Sequence, residues 1–274
     1  MQKKVAIVIL NYMNYQETIL CVNSVLLQKN VDFQIIIVDN GSRNESCAVL
    51  AKTYSQNNRV HILKTGKNYG FARGNNIGIK YARDKFKSEF VLLVNSDTEL
   101  IDDKYLYILI SKYQDNVGVI GSEILLRNGK KQKKYYEYVN FPATFIYYCG
   151  MWDQLYGIGF FDRYIENMLK KSKKCEILHG SAFMLTPAYF EKYSGLYNRT
   201  FLYTEEILLY IMCKRADLKQ VYISDTCILH KEDQSSKYLY QNRNTVKLKY
   251  VLSSYKYVVW ESLKDFLKLK MMKR

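Results

Sequence analysis

Phe90-Val91-Leu92-Leu93-Val94-Asn95-Ser96-Asp97 is an apolar run that breaks into a polar tip. A phenylalanine with valines and leucines at this length reads as a buried strand. Core packing asks for no carboxylate at its end. In open α/β sheets ligands sit beyond the carboxyl ends of strands, which makes Asp97 a candidate for metal or phosphate work. Asp is equally a common helix N-cap, and Thr98-Glu99-Leu100 follows. On this stretch alone the two readings stand level.

Outward from it the pattern repeats. Val5–Leu10 is an apolar run ending at Asn11-Tyr12, and Phe33–Val38 ends in the tight turn Asp39-Asn40-Gly41-Ser42. Val60–Leu63 is a shorter run. Apolar residues at helical spacing fill Asn14–Gln28 and the region Ser46–Ser55, and Asn68–Gly78 opens a helix to about Lys85. This β-α-β-α-β-α-β order predicts an α/β fold with a parallel, doubly wound sheet and its site at the strand ends. A helix over Asp102–Tyr113 and a strand over Val117–Gly121 continue it.

Beyond residue 126 the alternation weakens. Leu126–Tyr138 is basic and polar, Phe141–Phe161 is aromatic and reads as loop or lid, and Lys170–Lys174 is a second basic run, read as a solvated face. Ile177–Leu185 returns to a strand, in which Gly180 and Ser181 imply close backbone approach to a neighbouring helix or a ligand. Pro187 starts a helix. Thr204 is placed to cap another, with Glu205 and Glu206 in its first turn, where two acids suit the helix dipole. Val221–Ser224 is a last strand before His230.

The chain of 274 residues is 48% hydrophobic and 24% charged, a globular composition. Lys+Arg 41 against Asp+Glu 26 leaves a formal net charge of +15, which favours phosphate-bearing or otherwise polyanionic partners. The 26 tyrosines suit contact with bases, sugars or a membrane interface. The 6 cysteines form no CxxC pair, so reduced thiols in a cytosol are the simplest reading. The N-terminus enters a strand without an apolar signal region, and no run reaches the roughly 18–20 apolar residues that span a bilayer.

The polar tips supply the parts for transfer from a nucleoside diphosphate. Asp39 could accept hydrogen bonds from a base or ribose. Arg73, between Gly70 and Gly74, could pair with a diphosphate. Asp97 could hold Mg²⁺ or Mn²⁺ against it, with His230 completing the shell. Glu206 or Glu205 could serve as general base toward an acceptor hydroxyl.

Taken together, Val8–Tyr12, Val38–Ser42, Asn68–Asn76, Leu93–Asp97, Gly180–Leu185, Phe201–Glu206 and His230 with Ser235-Ser236 resemble the motifs of family-2 glycosyltransferases of the GT-A fold, in the family's order and over about residues 3 to 245. The bacterial polysaccharide-assembly members related to rhamnosyl- and galactosyltransferases are the most similar kind. The resemblance implies a Rossmann-like, mostly parallel central sheet flanked by helices. It implies an inverting, metal-dependent hexosyltransferase that moves a sugar from a UDP- or dTDP-sugar to a hydroxyl of a lipid-linked or glycan acceptor in surface polysaccharide synthesis. By position Asn11, Asp39, Asn68, Arg73, Asn76, Asn95, Ser96, Gly180 and Ser181 would bind the donor, Asp97 and His230 would hold Mn²⁺ or Mg²⁺, and Glu206 with Glu205 would be catalytic. Asn95 stands where many members carry the first acid of the DXD segment, which lowers the expected metal affinity. Glu206 stands where an Asp base is usual.

The expected organisation is a glycosyltransferase domain over 1–236 and a basic, Tyr-rich helical tail over 237–274. In the tail, cations interleave with Tyr, Trp and aliphatic residues. That pattern suits a helix on an anionic membrane surface, or one packed on the domain. The expected setting is cytoplasmic, peripheral on the inner face of the membrane, with no nucleic acid bound and a homodimer left open. Two rivals remain at this level: a nucleotidyltransferase of similar α/β shape, and a basic nucleic-acid-binding protein without catalysis.

Overall fold

The computed structural model describes residues 3–159, 169, 172–231 and 244–272. Ser235-Ser236, Lys170-Lys171, the start of the tail and the proposed boundary at 236/237 lie outside the described residues. Four strands carry the first half: β1 (Val5–Asn11), β2 (Phe33–Asp39), β3 (Val60–Lys64) and β4 (Phe90–Asn95). Between them run helices α1 (Tyr15–Leu26), α2 (Ser46–Thr53) and α3 (Phe71–Phe86). Their side chains alternate between two cores. Ile7, Ile35 and Leu92 face one, against Val22 and Val25 of α1; Val8, Ile36 and Leu93 face the other, against Ile79 of α3. Each fully buried side chain of this kind contributes roughly 1.5–3 kcal/mol, and burial on both faces explains the unbroken apolar runs.

The eight-stranded sheet has the order β3-β2-β1-β4-β9-β6-β10-β5, using β5 (Thr98–Leu100), β6 (Val117–Leu126), β9 (Ala182–Leu185) and β10 (Lys219–His230). Only β5 and β9 run against the rest. Strand order reverses between β1 and β4, so the crevice beyond their carboxyl ends is a topological switch point. Thr98–Leu100 pairs as β5 with β10, so Asp97 caps no helix, and helix α4 starts only at Tyr105 and ends at Ser111. The level choice at Asp97 is thereby settled against the capping reading.

Two expectations change in the second half. Ile177–Leu185 is not one strand: β8 (Cys175–Ile177) pairs with β7 (Tyr135–Glu137) in a small second sheet, and only β9 joins the main one. Within the stretch expected as loop or lid, Ala143–Tyr156 forms helix α5 instead. Its inward residues meet α8 (Asn244–Met272) through Thr144–Ser262 and Tyr147–Tyr255 contacts. Aromatic side chains at helical spacing gave α5 a partner that composition did not reveal. With α6 (Pro187–Lys192) and α7 (Glu205–Arg215) the set of described helices is complete. Leu252, Tyr255 and Val258 of α8 form a separate apolar cluster with Ile207, Leu208 and Ile211 of α7.

Candidate active site

A cavity of about 340 Å³ opens at the switch point. Strand ends build one wall: Leu10 near the end of β1 and Tyr12 just past it, Asn40 after β2, Asn95 at the end of β4 with Ser96 and Asp97 beyond it, and His230 at the end of β10. The opposite wall is Gly180 and Ser181 before β9, the segment Phe201–Tyr203, and Glu205 and Glu206 at the start of α7. Asn68, Gly70, His179 and Lys247 also line it.

Asp97 and His230 arrive from distant parts of the chain. The pairing of β5 with β10 brings His230 Nε2 to 3.5 Å from Asp97 Oδ1, and the Lys231 N–H donates to the Asp97 carbonyl. His230 Nδ1 has no hydrogen-bond partner among the described residues. The rings of His179 and His230 lie 5.8 Å apart. Burial, then the neighbouring His230, pull His179 down to about 4, so it is neutral at physiological pH. Among the described residues no three His, Cys, Asp or Glu side chains group as a metal site. The pair fits a hard divalent ion that takes its remaining ligands from diphosphate oxygens and water, the usual manner of Mg²⁺ and Mn²⁺ sites.

Glu206 has a specific seat. The Gly180 N–H donates to its carboxylate, and a Cβ on Gly180 would collide with Oε1. The close approach expected at Gly180 is therefore to this helix-borne carboxylate. Burial raises the Glu206 carboxyl above its ordinary value, and burial together with Glu206 raises Glu205 well above its own. Tyr203 and Thr204, just before the pair, both have positive φ (72° and 69°), a conformation worth roughly 1–3 kcal/mol of strain at each non-glycine residue. Thr204 occupies the cap position without a side-chain capping bond, contrary to the expectation for it.

Asn68, Asn95, Ser96, Asp97, Gly180, Ser181, Glu205, Glu206 and His230 thus share one cavity, while four of the expected donor residues do not line it. Asp39 is fully buried; Asn11 Nδ2 donates to its Oδ2 (2.7 Å) and the Ser42 N–H to its Oδ1 (3.1 Å). Asn11 and Asp39 therefore shape the turn that presents Asn40. Arg73 Nε donates to the Asn198 carbonyl (2.6 Å), and Asn76 bonds the Leu196 backbone in both directions. These two hold the 196–198 segment that leads into the Glu-bearing wall. Gly70 keeps its N–H for Asn68 Oδ1 (2.8 Å), and at φ +80° a side chain there would strike the Phe201 backbone. Its role is close packing of two loops, with its N–H kept inside the protein.

Several lining residues escaped the sequence reading. His179 adjoins Gly180-Ser181, and that adjacency was the available signal. Asn40 lay in a quoted turn; its Nδ2 donates to Asn68 Oδ1 (3.0 Å) and the Gly70 carbonyl (3.1 Å), tying two loops together. Lys247 belongs to the tail, expected either on a membrane surface or packed on the domain. It is the only Lys or Arg among the described lining residues, set 5.6 Å from the Tyr203 ring centre.

The sequence model described as "Glycosyl transferase family 2" matches residues 6–194. The hexosyltransferase Agl10 of low-salt glycan biosynthesis in Haloferax volcanii is 26% identical over 185 residues, covering 68% of this chain and 54% of that protein. Glycosyltransferase GlyG of Streptococcus pneumoniae serotype 4 is 26% identical over 148 residues, covering 54% of this chain and 44% of that one. The chain thus spans about half the length of these relatives. Among solved structures, S. aureus TarS 1-349 in complex with UDP-GlcNAc matches with TM-score 0.57 at 14% identity, over 84% of this chain and 59% of that one. GalNAc-T7 with UDP, GalNAc and Mn²⁺ matches with TM-score 0.61 at 12% identity, over 85% and 45%. At such identities the likeness establishes the fold, which is GT-A as expected.

Proposed function

The chain belongs to glycosyl transferase family 2, and from that premise we propose that it is an inverting hexosyltransferase using a nucleoside-diphosphate sugar. The observation that carries the reading is the shared cavity: Asp97 with His230 stands on one wall and the Glu206 carboxylate on the other. In the proposed reaction an acceptor hydroxyl attacks the anomeric carbon. A new C–O bond forms, the bond to the diphosphate breaks with its electron pair, and the acceptor proton passes to Glu206. A carboxylate lifted by burial suits that task, because its basicity lies nearer the working pH. A divalent ion held by Asp97 and His230 would supply charge neutralisation at the leaving diphosphate. Lys247 provides a fixed cation on the same cavity, the part first expected of Arg73. Asn68, Asn95 and Ser181 offer hydrogen-bonding groups for the nucleotide and sugar.

A lipid-linked glycan remains the proposed acceptor, with surface polysaccharide synthesis as the setting and the inner face of the membrane as the place of work. Among the described residues no helix is long and apolar enough to cross a bilayer. The last turns of α8 expose Leu267, Leu269, Met271 and Met272 beside Lys268 and Lys270, a pattern suited to an anionic surface.

A melting-temperature screen against UDP-, dTDP- and GDP-sugars, with and without Mn²⁺, tests the donor, since ligands that bind the native state raise its apparent stability. Stabilisation by one nucleotide class, greater with Mn²⁺, is expected. No shift with any of them would remove the donor assignment. The anomeric configuration of the product, read by NMR, tests inversion.

A further inference from the structure

Three charged side chains that the proposed chemistry does not use stand next to the Asp97–His230 pair, and none of them lines its cavity: Glu17, Glu99 and Lys231. Lys231 Nζ lies 2.8 Å from Glu17 Oε2 and 2.5 Å from Glu99 Oε1. Glu17 sits in the first turn of α1, Glu99 is the middle residue of β5, and Lys231 directly follows β10. One ammonium group thus ties three elements that are far apart in the chain. The lysine side chain is 12% exposed, against 23% and 29% for the two glutamates, so water screens these contacts only in part. Lys231 also reaches Asp97 through its backbone, whose N–H donates to the Asp97 carbonyl (3.0 Å).

The two members of the pair are not equally well held. His230 is fixed from one side by β6, where it pairs with Leu126. Asp97 leads into β5, an edge strand whose ladder with β10 is three pairs long: Leu100 with Ile228, Glu99 with Leu229 and Thr98 with His230. So short an edge strand opens easily by itself, because few backbone hydrogen bonds hold it. The two grips of Lys231, on the Asp97 carbonyl and the Glu99 carboxylate, bracket Thr98. Glu17 fixes the ammonium in turn to α1, where the Glu17 N–H donates to the capping Asn14 Oδ1 (3.3 Å). A ligand atom held in place beforehand loses less freedom when an ion binds.

We propose that Lys231 is a positioning residue for the cation site: by gripping Glu99, Glu17 and the Asp97 backbone it holds Asp97 in register with His230, and so sets the affinity for a divalent ion. This role rests on the reading of Asp97 and His230 as the protein ligands of that ion, and adds three residues that lie outside the cavity. It differs in sign from a purely electrostatic one. Lys231 is a cation close to a cation site, so on charge alone its removal should tighten binding of the ion. As a clamp, its removal should weaken it.

The test is titration of Mn²⁺ into the full chain with UDP present, free Mn²⁺ being read by electron paramagnetic resonance, with metal-free UDP affinity measured alongside. The unaltered protein should bind Mn²⁺ and Asp97→Ala should not. Lys231→Met should weaken Mn²⁺ binding by about 10–100-fold, the usual effect of losing a group that orients a metal ligand, with metal-free UDP affinity unchanged. Lys231→Arg, whose guanidinium can serve both carboxylates, should restore most of it. Unchanged or tighter Mn²⁺ binding in Lys231→Met overturns the clamp. So does an equal loss in Lys231→Arg, or a matching loss of metal-free UDP affinity, which marks general disorder of the site. Should Lys231→Met not fold, Lys231→Gln, which keeps an N–H donor, is read instead; a smaller loss is expected, and no loss overturns the proposal. Absence of Mn²⁺ binding by the unaltered protein, or its survival in Asp97→Ala, removes the cation reading and the clamp with it, whereas Mn²⁺ binding that needs Asp97 but ignores Lys231 removes the clamp alone.

Discussion

The two walls around Glu206 are built on different principles. The wall proposed for the donor is a set of strand ends, Asn95–Asp97 and His230, whose backbone is held by the ladder of the main sheet. The far wall is a layer of tyrosine-bearing helices and a two-stranded ribbon, with its own apolar cluster. Sheet ends fix atoms with little freedom, which suits charge placement at a breaking bond. Packed aromatic side chains fix shape, which suits selection of a partner molecule. The contrast says which substitutions should abolish chemistry and which should only alter recognition.

The sharpest way to break it is Asp97→Ala. Transfer should be lost while the melting temperature and circular dichroism persist; surviving turnover would remove the metal role from Asp97. Glu206→Gln should come next. Turnover should fall by about 10²–10⁴-fold with nucleotide binding largely retained, as expected for loss of a general base. Equal losses in both would move the base elsewhere. The acid limb of the kcat/KM profile should have its midpoint above 4.5, because burial raises this carboxyl and only its ionised form accepts the proton.

Lys247→Met against Arg73→Ala sharpens the comparison within the donor wall. UDP affinity should drop about tenfold for the lysine and less for the arginine, whose guanidinium is engaged by the Asn198 carbonyl. The reverse order would return the phosphate role to Arg73. The smallest effect expected is on stability. Glu205 has its carboxyl raised well above 4.5 by burial and by Glu206. The folded protein therefore keeps a proton that the unfolded chain has released, and stability falls as pH rises from 4.5 through the folded value. Glu205→Gln should raise the melting temperature at pH 8, by about 2–4 °C for each kcal/mol relieved, and change little near pH 4.

Much of the donor wall was legible in the chain. Apolar runs ending in Asn11, Asp39 and Asp97 marked β1, β2 and β4, since strands buried on both faces need continuous apolar side chains. Asp97, Glu206 and His230 were recognisable as polar residues at element ends. The far wall was hidden. Phe141–Phe161 looked like a loop because a helix whose apolar side chains point both ways loses the one-faced pattern, and α5 needs α8 to cover it. Lys247 did not show its place in the cavity, because a lysine on a mixed helix does not reveal which way it faces.

Sequence alone determined the alternation of strands and helices in the first half of the chain and the residue types offered at the strand ends, because these follow from local periodicity and turn chemistry. Tertiary structure alone decided which of them meet. It drew His230 to Asp97 through the pairing of β10 with β5, and set Glu206 on Gly180. It took Asp39 and Arg73 up in backbone support, and brought Tyr255 and Glu137 to the far side of Glu206. Those are contacts between distant segments, and their partners are chosen by packing and hydrogen-bond satisfaction over the whole fold, which no window of sequence contains.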